Sequence, residues 1–283
     1  MINRIIFSDN GTLSDLSTSL DNYLGSTSVI PFVAAEDAIF IGLKFPINHL
    51  YFNSSVANDA ASVASVAVWD GNEFTDVVEL IDETSSAGVS LAQDGFMTWV
   101  PNKQNGWGRD DTVNSSGTER ITGLGDITIY DSYWLKMTFS NDLNTLTALS
   151  WIGNLFSTDS DLEVEYPDLL NSAVLTGFKA AKTNWFEQHV RAAELMMDDM
   201  VDQGVIVDKN QILERRQLRP AAICKVAEII HNSFGQDGDE ERRKARSEYA
   251  KRIAKRKFAV DTNSNAIEDR GEFEQLHSMV LRR

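Results

Sequence analysis

The chain is poor in cysteine and has no long apolar run, and each shortage excludes a class of protein. With one cysteine, Cys224, among 283 residues, no intrachain disulfide is possible, so stability must come from packed cores. No apolar run approaches the roughly 20 residues that cross a bilayer, so we expect no contact with a membrane. The length allows two domains or one large one.

Cations are scarce in only one half of the chain. Residues 1–157 carry 6 Lys and Arg against 19 Asp and Glu, a net charge of −13. Residues 158–283 carry 20 against 23, a net charge of −3. The acidic first half is poorly suited to binding nucleic acid, whose phosphates attract cations. The second half has the mixed charge of helices that contact water and protein neighbours.

Familiar catalytic motifs are also missing. The sequence contains no phosphate-binding loop, no dinucleotide fingerprint and no His-Glu-x-x-His, and its four histidines are scattered, so no zinc site is predicted. Cys224 lies in an apolar helical segment, where a buried and inert thiol is expected. A catalytic triad can assemble from distant segments, so missing motifs do not exclude one. The expectation rests instead on the lack of any positive signal for catalysis. We expect a protein that is not an enzyme.

Short alternating runs dominate the first half of the chain. Asp70-Gly71 lies between two such runs and is a strong signal for a β-hairpin, because both turn residues must reach positive φ. A loop rich in Gly, Asn and Ser follows over residues 102–125. Many short strands at regular spacing are typical of an antiparallel sandwich or jelly roll. The predicted strands cover residues 29–33, 38–43, 50–52, 63–69, 74–80, 96–100, 127–130 and 133–139.

This half also resembles a known family. The matching runs are DAIFIG at 37–42, VWDGNEF at 68–74, DGFMTW at 94–99 and YWLK at 133–136. Together they resemble a jelly-roll module of tailed-bacteriophage virion proteins, similar in fold to galactose-binding-like domains. The resemblance covers about residues 30–155 and implies a display or packing surface. We therefore predict a β-sandwich domain over residues 28–160, preceded by an N-terminal arm or edge segment over residues 1–27.

Three tryptophans are candidates for glycan contact. Exposed rings at Trp99, Trp107 and Trp134 would form a stacking platform for sugars, since aromatic faces suit the apolar faces of pyranoses. The alternative is that these rings belong to the core. The many carboxylates of this half lie mostly at turns, where Asp accepts hydrogen bonds from local backbone groups, so a catalytic pair is not expected.

The second half repeats at helical spacing. An apolar stripe from Pro167 to Gly204 predicts one long helix. A second helix is predicted from Arg219-Pro220, with proline in its first turn, and a third over residues 240–258. The three methionines near the end of the first helix either fill the core or contact another subunit. These are Met196, Met197 and Met200.

The third predicted helix contains a basic run. Residues 242–257 include nine cations and one acid, a density that suits contact with phosphates. The alternatives are a solvated face, or a face that pairs with acidic residues of a neighbouring protein. The candidate residues for nucleic-acid or subunit contact are Arg242, Arg243, Lys244, Arg246, Lys251, Arg252, Lys255 and Arg256.

Residues 261–272 partly match an EF-hand loop. Oxygen ligands recur at the spacing that Ca²⁺ requires, but Ala266 replaces the glycine of the sharp turn. The alternative is a capped loop of Asx turns. If Ca²⁺ binds, it orders the tail and has no catalytic role. The candidate ligands are Asp261, Asn263, Asn265 and Glu272.

A second resemblance covers residues 165–272. DKNQIL at 208–213, RPAAI at 219–223 and the charged helix that follows resemble the helical domain of tailed-phage head-to-tail connector (adaptor) proteins. That family implies a homo-oligomeric ring, commonly of twelve copies, beneath the portal protein and in contact with tail or neck proteins. It also implies a location at the head–tail junction of a virion assembled in the host cytoplasm.

The predicted fold class is therefore α+β in two domains. An antiparallel β-sandwich or jelly roll precedes a C-terminal all-α helical bundle over residues 161–260, and residues 261–283 form a tail. The leading hypothesis is a structural connector with its jelly roll displayed outward. The alternative is a glycan-binding, decoration or neck module of the virion without the adaptor role. A third hypothesis is contact with packaged DNA, and no cofactor other than Ca²⁺ is expected.

Overall fold

The computed structural model describes most of the chain and assigns it to the α+β class. The described residues are 2–100, 107–109, 121, 123–125, 127, 132–202, 204–208, 211–213, 215–255 and 259–261. They contain two antiparallel sheets, of six and five strands, and six α-helices. Described residues up to Gly153 form one compact unit, and those from Asn154 onward form a second.

The first unit contains both sheets. The six-stranded sheet has the order β2-β1-β4-β10-β6-β7, and the five-stranded sheet has the order β3-β11-β5-β9-β8. A short helix, α1 (Ser17–Leu20), follows β2. The strands are β1 (Ile2–Asp9), β2 (Thr12–Asp15), β3 (Ser28–Val29), β4 (Ala38–Leu43), β5 (His49–Val56), β6 (Ala64–Trp69), β7 (Phe74–Asp76), β8 (Val78–Asp82), β9 (Gly95–Val100), β10 (Tyr133–Phe139) and β11 (Ala148–Gly153).

The middle of the six-stranded sheet is buried on both faces. Trp134 on β10 pairs with Gly42 on β4, and a Cβ atom at position 42 would lie 3.0 Å from the Trp134 ring, so glycine leaves room for the indole. Phe40 lies on the same face as Trp134, and Ile121 and Leu124 pack over them. Every residue of β4 is consequently buried, which matches its unbroken apolar sequence.

The predicted Asp70-Gly71 hairpin is confirmed. It joins β6 to β7, where Trp69 pairs with Phe74. The expected positive φ at both turn residues is wrong, because only Gly71 has it, at +103°. The loop also includes Asn72 and Glu73, and the Asp70 N–H donates to the Glu73 carbonyl at 3.0 Å. The Asp70 carboxylate accepts hydrogen bonds from the backbone N–H groups of Asn72 and Glu73, at 2.8 and 2.9 Å. These bonds lower the pKa of Asp70. The turn is therefore held by its own aspartate.

The single strand predicted over residues 74–80 is wrong, because this segment contributes to two strands in different sheets. The chain leaves the six-stranded sheet at Val77, and β8 then pairs with β9 in the five-stranded sheet. The Val77 N–H still donates to the carbonyl of Val66. Alternation of apolar residues is equally compatible with one strand or with two strands in different sheets, so the sequence pattern missed this change.

The start of the chain belongs to a sheet. Asn10-Gly11 has positive φ at both residues, 45° and 81°, and joins β1 to β2 as a hairpin. β1 also pairs with β4, which places β2 at the edge of the six-stranded sheet. β1 and β2 thus form a hairpin at one side of the six-stranded sheet, and the apolar side chains of β1 are buried.

The second unit is built from helices joined by turns. An isolated bridge between Ile212 and Val260 adds a strand-like contact, so the described elements are not purely helical. The α-helices are α2 (Asp159–Glu165), α3 (Ser172–Phe178), α4 (Phe186–Asp202), α5 (Arg215–Ser233) and α6 (Asp239–Lys255), with short 3-10 helices at Pro167–Leu170 and Gly235–Gly238.

The long helix predicted from Pro167 to Gly204 is wrong. It is broken into the 3-10 helix, α3 and α4, and Ala181 in the break has φ +61°. The break turns the chain back, so that the indole N–H of Trp185 donates to the carbonyl of Leu169 at 2.8 Å. One apolar stripe is thereby folded onto itself instead of requiring a partner along its whole length.

The next helix also differs from its prediction. α5 begins at Arg215, so Pro220 lies inside it and not in the first turn. α5 is buried around most of its circumference, with α2, α4 and α6 packed against it. The methionines of α4 lie in the core that these helices share, which confirms the core interpretation. The cluster contains Met196, Met197 and Met200 together with Phe156, Leu218, Ala222, Tyr249 and Ile253.

Candidate functional site

The basic helix α6 is held on the core by three apolar residues on one of its faces. Ala245, Tyr249 and Ile253 are all buried. The Tyr249 hydroxyl donates to the Asp199 carboxylate at 2.8 Å, and the Lys225 ammonium lies 4.7 Å from the centre of the Tyr249 ring. Burial and the Asp199 charge raise the pKa of Tyr249, which keeps this hydroxyl protonated. α6 is therefore fixed in rotation, and its opposite side faces solvent.

Most of the described cations of α6 have a carboxylate partner within the second unit. Some of these carboxylates lie on α6 itself, and others come from α2 and α5. Such pairing reduces the positive charge available to phosphates and weakens the nucleic-acid interpretation. The pairs are Arg242 with Asp239 at 2.9 Å, Lys244 with Glu240 and Glu241 at 2.8 Å, Lys251 with Glu248 at 2.6 Å, and Arg252 with Glu165 at 2.7 Å.

Two arginines of α6 keep most of their charge exposed. Arg243 is exposed and has no ion-pair partner among the described residues. The Arg246 side chain is 79% exposed, and its guanidinium lies 3.9 Å from Glu228. Together with the exposed Lys244 and Lys251, these arginines define the α6 outer face. The side chains of Lys255 and Arg256 lie outside the described residues.

The three candidate tryptophans do not form a sugar platform. Trp99, Trp107 and Trp134 are 4%, 8% and 0% exposed. Trp107 packs edge-on against Tyr133, with 6.2 Å between ring centres. The sequence shows where these rings lie along the strands but not what covers them. Because no ring face reaches solvent, the predicted glycan platform is wrong, and the core interpretation describes all three.

Of the four candidate calcium ligands, Asp261 lies among the described residues. Asp261 is buried, its N–H donates to the carbonyl of Gln211 at 2.7 Å, and its own carbonyl accepts from the Gln211 amide at 2.9 Å. Its backbone thus closes the second unit beside the Ile212–Val260 bridge. Asn263, Asn265 and Glu272 lie outside the described residues, so Ca²⁺ binding stays a prediction.

An acidic cluster that no local sequence motif marks lies beside the Asn10-Gly11 turn. Carboxylate oxygens of Asp9, Glu36 and Asp37 lie within 4.8 Å of one another. The buried Asp37 carboxylate accepts from the N–H groups of Asn10 at 3.0 Å and Val33 at 2.7 Å. These bonds join two turns. Asn10 and Asp37 are 27 positions apart in the sequence, so only the folded chain brings the hairpin and these acids together.

The structure also assembles serine, histidine and aspartate side chains. His189 contacts the Ser157 hydroxyl through Nδ1 at 2.8 Å and the Asp159 carboxylate through Nε2 at 3.0 Å. This order of ring nitrogens is the reverse of that in Ser-His-Asp hydrolases, where serine contacts Nε2. Ser157 is 1% exposed, so no substrate reaches it in this conformation. The group connects the start of α2 to α4 as a structural clamp.

Cys224 matches its prediction as a buried thiol. It lies on α5 and is fully buried, and burial raises the pKa of the thiol. The Tyr166 hydroxyl donates to its sulfur at 3.7 Å. A thiol held in its protonated form is a weak nucleophile, because the thiolate is the reactive species. The arrangement therefore serves packing between α5 and the chain after α2.

Comparisons with protein-family models, with curated proteins and with solved structures found no match for this chain. No helix among the described residues is both long and apolar enough to cross a lipid bilayer.

Proposed function

We propose that this protein is a structural component of a tailed-phage virion, a head-to-tail connector that assembles into a homo-oligomeric ring. In this proposal the helical unit is a bundle that forms the ring and contacts the portal and the tail or neck proteins. The two sheets form a β-sandwich of the jelly-roll type, displayed outward. The support comes from the two sequence resemblances and from the division into a β unit and a helical unit.

The observation that carries the proposal is the way in which α6 packs on the core. The helix is fixed on the core through Tyr249 and Ile253, while Arg243 and Arg246 face solvent. Charged side chains on a fixed helix suit a protein interface, because the backbone that carries them is already ordered before binding and the charge pattern selects partner and orientation. Ring closure requires that one patch contact a different patch on the next copy, and an exposed cationic patch meets this need.

Burial of the three tryptophans removes the support for a glycan-binding role. The displayed unit then acts through its surface shape and charge, as a decoration or packing module. The ion pairs of α6 likewise favour contact with protein over contact with packaged DNA. Glycan binding and DNA contact are thus secondary to assembly in this proposal.

The test is self-association of the full chain. We expect sedimentation velocity and negative-stain images to show closed rings that increase with protein concentration and bind the portal protein of the same virus. Arg243→Glu/Arg246→Glu should reduce ring formation. The matched control is Lys179→Glu/Arg191→Glu, two charge reversals at exposed cations outside α6. A chain that remains monomeric and does not bind portal at any concentration would contradict the proposal.

A further inference from the structure

The segment that changes sheets forms a strongly acidic edge of the first unit. Residues 73–83 contain five acidic residues and no cation. β7 is the outermost strand of the six-stranded sheet and β8 is the outermost strand of the five-stranded sheet. Asp76 and Glu79 are exposed and have no ion-pair partner among the described residues. Their charges are available to a partner.

Apolar side chains lie on the same edge. Val78, Ile81 and Val100 are 43%, 52% and 43% exposed. Val78 pairs with Val100, and Ile81 pairs with Thr98, so these side chains share one face of β8 and β9. An exposed apolar patch beside charged residues has the composition of a protein interface. We define the acidic edge as Asp76, Val78, Glu79, Ile81 and Val100.

We propose that the acidic edge binds the α6 outer face of a second copy of this chain; the contact rests on the proposed homo-oligomer. Residues 1–157 have a net charge of −13, so two acidic edges repel each other. The α6 outer face supplies the complementary charge with Arg243 and Arg246. The aliphatic stems of arginine and lysine cover apolar surface while their charged ends remain free to pair. Each stem can therefore pack on Val78 or Ile81 while its head reaches Asp76 or Glu79.

The backbone of β8 favours a helix over a strand as the partner. Glu79 has φ +53°, and the register between β8 and β9 shifts between Val78 and Ile81. Such a bulge interrupts the row of backbone groups that an added strand would need. The partner therefore contacts side chains, which a helix face presents in a compact array. The two patches differ, so the contact is head-to-tail and can be repeated around a ring.

The test is a charge exchange in the full chain. Asp76→Lys/Glu79→Lys and Arg243→Glu/Arg246→Glu are made separately and then combined in one chain. Each pair alone should weaken association by about tenfold or more in sedimentation equilibrium, and the combined chain should recover most of it, because opposite charges again face each other. Wild-type association should also fall when NaCl rises from about 0.1 M to about 0.5 M, since salt screens the contact.

The matched control is Asp9→Lys/Glu36→Lys, which makes the same change in net charge elsewhere on the first unit. It should associate like the wild type. Far-UV circular dichroism and thermal unfolding of every variant confirm that it is folded. If the wild-type chain forms rings and the edge variant assembles as well as the control, the contact is wrong and the proposed function stands. If both variants fail but the combined chain does not recover, the two patches do not face each other. A monomeric wild-type chain overturns the homo-oligomer and the contact together.

Discussion

The two units satisfy their carboxylates in different ways. In the first unit, where acids greatly outnumber cations, most carboxylates that have a partner accept hydrogen bonds from backbone N–H groups and hydroxyls, and the Arg4–Asp15 ion pair is an exception. Asp37 and Asp70 hold turns in this way, and Asp82 accepts from Thr84 and Ser90. In the second unit the numbers are nearly equal, and side chains pair with side chains. Examples are Arg252 with Glu165, Lys182 with Glu187, and Arg219 with Asp161.

This difference has a physical consequence. A carboxylate that accepts from nearby backbone groups fixes the local conformation of a loop, and salt screens such short contacts little. An ion pair between helices holds distant segments together, but at the surface its contribution is small and salt reduces it. The first unit should therefore depend on individual turn residues, and the second on its core and its buried polar clamp.

Different probes follow the two units. Five of the six tryptophans lie in residues 1–157, whereas most of the helix lies in the second unit. Tryptophan fluorescence therefore reports chiefly on the first unit and far-UV circular dichroism on the second. Free energies of unfolding from urea titrations can be assigned by comparing the two signals.

The largest expected effect is at the centre of the first unit. Trp134→Ala should lower the free energy of unfolding of that unit by about 3–5 kcal/mol, because it removes a fully buried ring and leaves a cavity over Gly42. Fluorescence-detected urea unfolding measures the loss. Trp134→Phe should lose clearly less, since part of the cavity stays filled. Equal losses for the two variants would contradict this packing argument.

The next effect concerns the clamp of the second unit. The Asp159 carboxylate accepts hydrogen bonds from the His189 ring and from the backbone N–H of Trp185, the latter at 3.1 Å. Asp159→Ala therefore leaves these buried donors without their acceptor. We expect a loss of about 2–3 kcal/mol in unfolding followed by circular dichroism. Asp202→Ala, at an exposed carboxylate at the end of α4, is the control. A loss no greater than that of the control would show that the clamp contributes little.

A smaller effect, with a pH signature, is expected at the β6–β7 turn. Asp70→Ala removes the bonds to the N–H groups of Glu73 and Asn72 and should cost roughly 1 kcal/mol at neutral pH. These bonds hold the pKa of Asp70 below its ordinary value of 3.8, so its contribution is complete above the unfolded pKa. It is lost as the pH falls through the folded pKa.

The difference between wild type and Asp70→Ala should therefore shrink below about pH 4 and vanish in stronger acid. Urea titrations at a series of pH values, followed by fluorescence, measure this difference. Asp76→Ala, at an exposed acid without such bonds, should show no comparable pH dependence. A difference between wild type and Asp70→Ala that stays constant through this range would contradict the assignment.

The smallest effect is expected on the surface of α6. Lys251 pairs with Glu248 three residues away, and Lys251→Ala should change the free energy of unfolding by no more than about 0.5 kcal/mol, because exposed helix pairs contribute little. Arg252→Ala should cost more, about 1 kcal/mol, since Arg252 also donates to the Pro220 carbonyl at 3.0 Å. If both changes had the same effect, the links that Arg252 makes beyond α6 would contribute nothing.

Part of the fold could be predicted because local chemistry determines it. The Asp70-Gly71 hairpin, the strands over residues 38–43 and 133–139, and the buried positions of α6 all follow from turn residues and periodicity. β1 and β2 were missed although Asn10-Gly11 is the same kind of signal as Asp70-Gly71. β11 was also missed, because its apolar run is too short to distinguish a strand from a helix.

The break between α3 and α4 could not be predicted from periodicity. An apolar stripe continues through residues 179–185, so the periodicity does not distinguish a straight helix from one folded back. The local signal is Asn184, whose side chain accepts from the Phe186 N–H at 3.2 Å where α4 begins. The buried indole of Trp185, bonded to Leu169, decides between them. The same applies to Pro220, whose position inside α5 depends on the packing of Arg215 and Leu218 before it.

Amino-acid sequence alone determined the change from strands to helices, the imbalance of charge between the two halves and the basic character of α6, because periodicity and composition are local properties. Tertiary structure alone decided which of these charges are paired within the chain and which remain free to contact another molecule. Arg252 pairs with Glu165, 87 positions away, while Arg243 pairs with no described residue. Burial of the three tryptophans was decided in the same way. Ion pairs and burial depend on which distant segments meet in space, and only the folded chain specifies that.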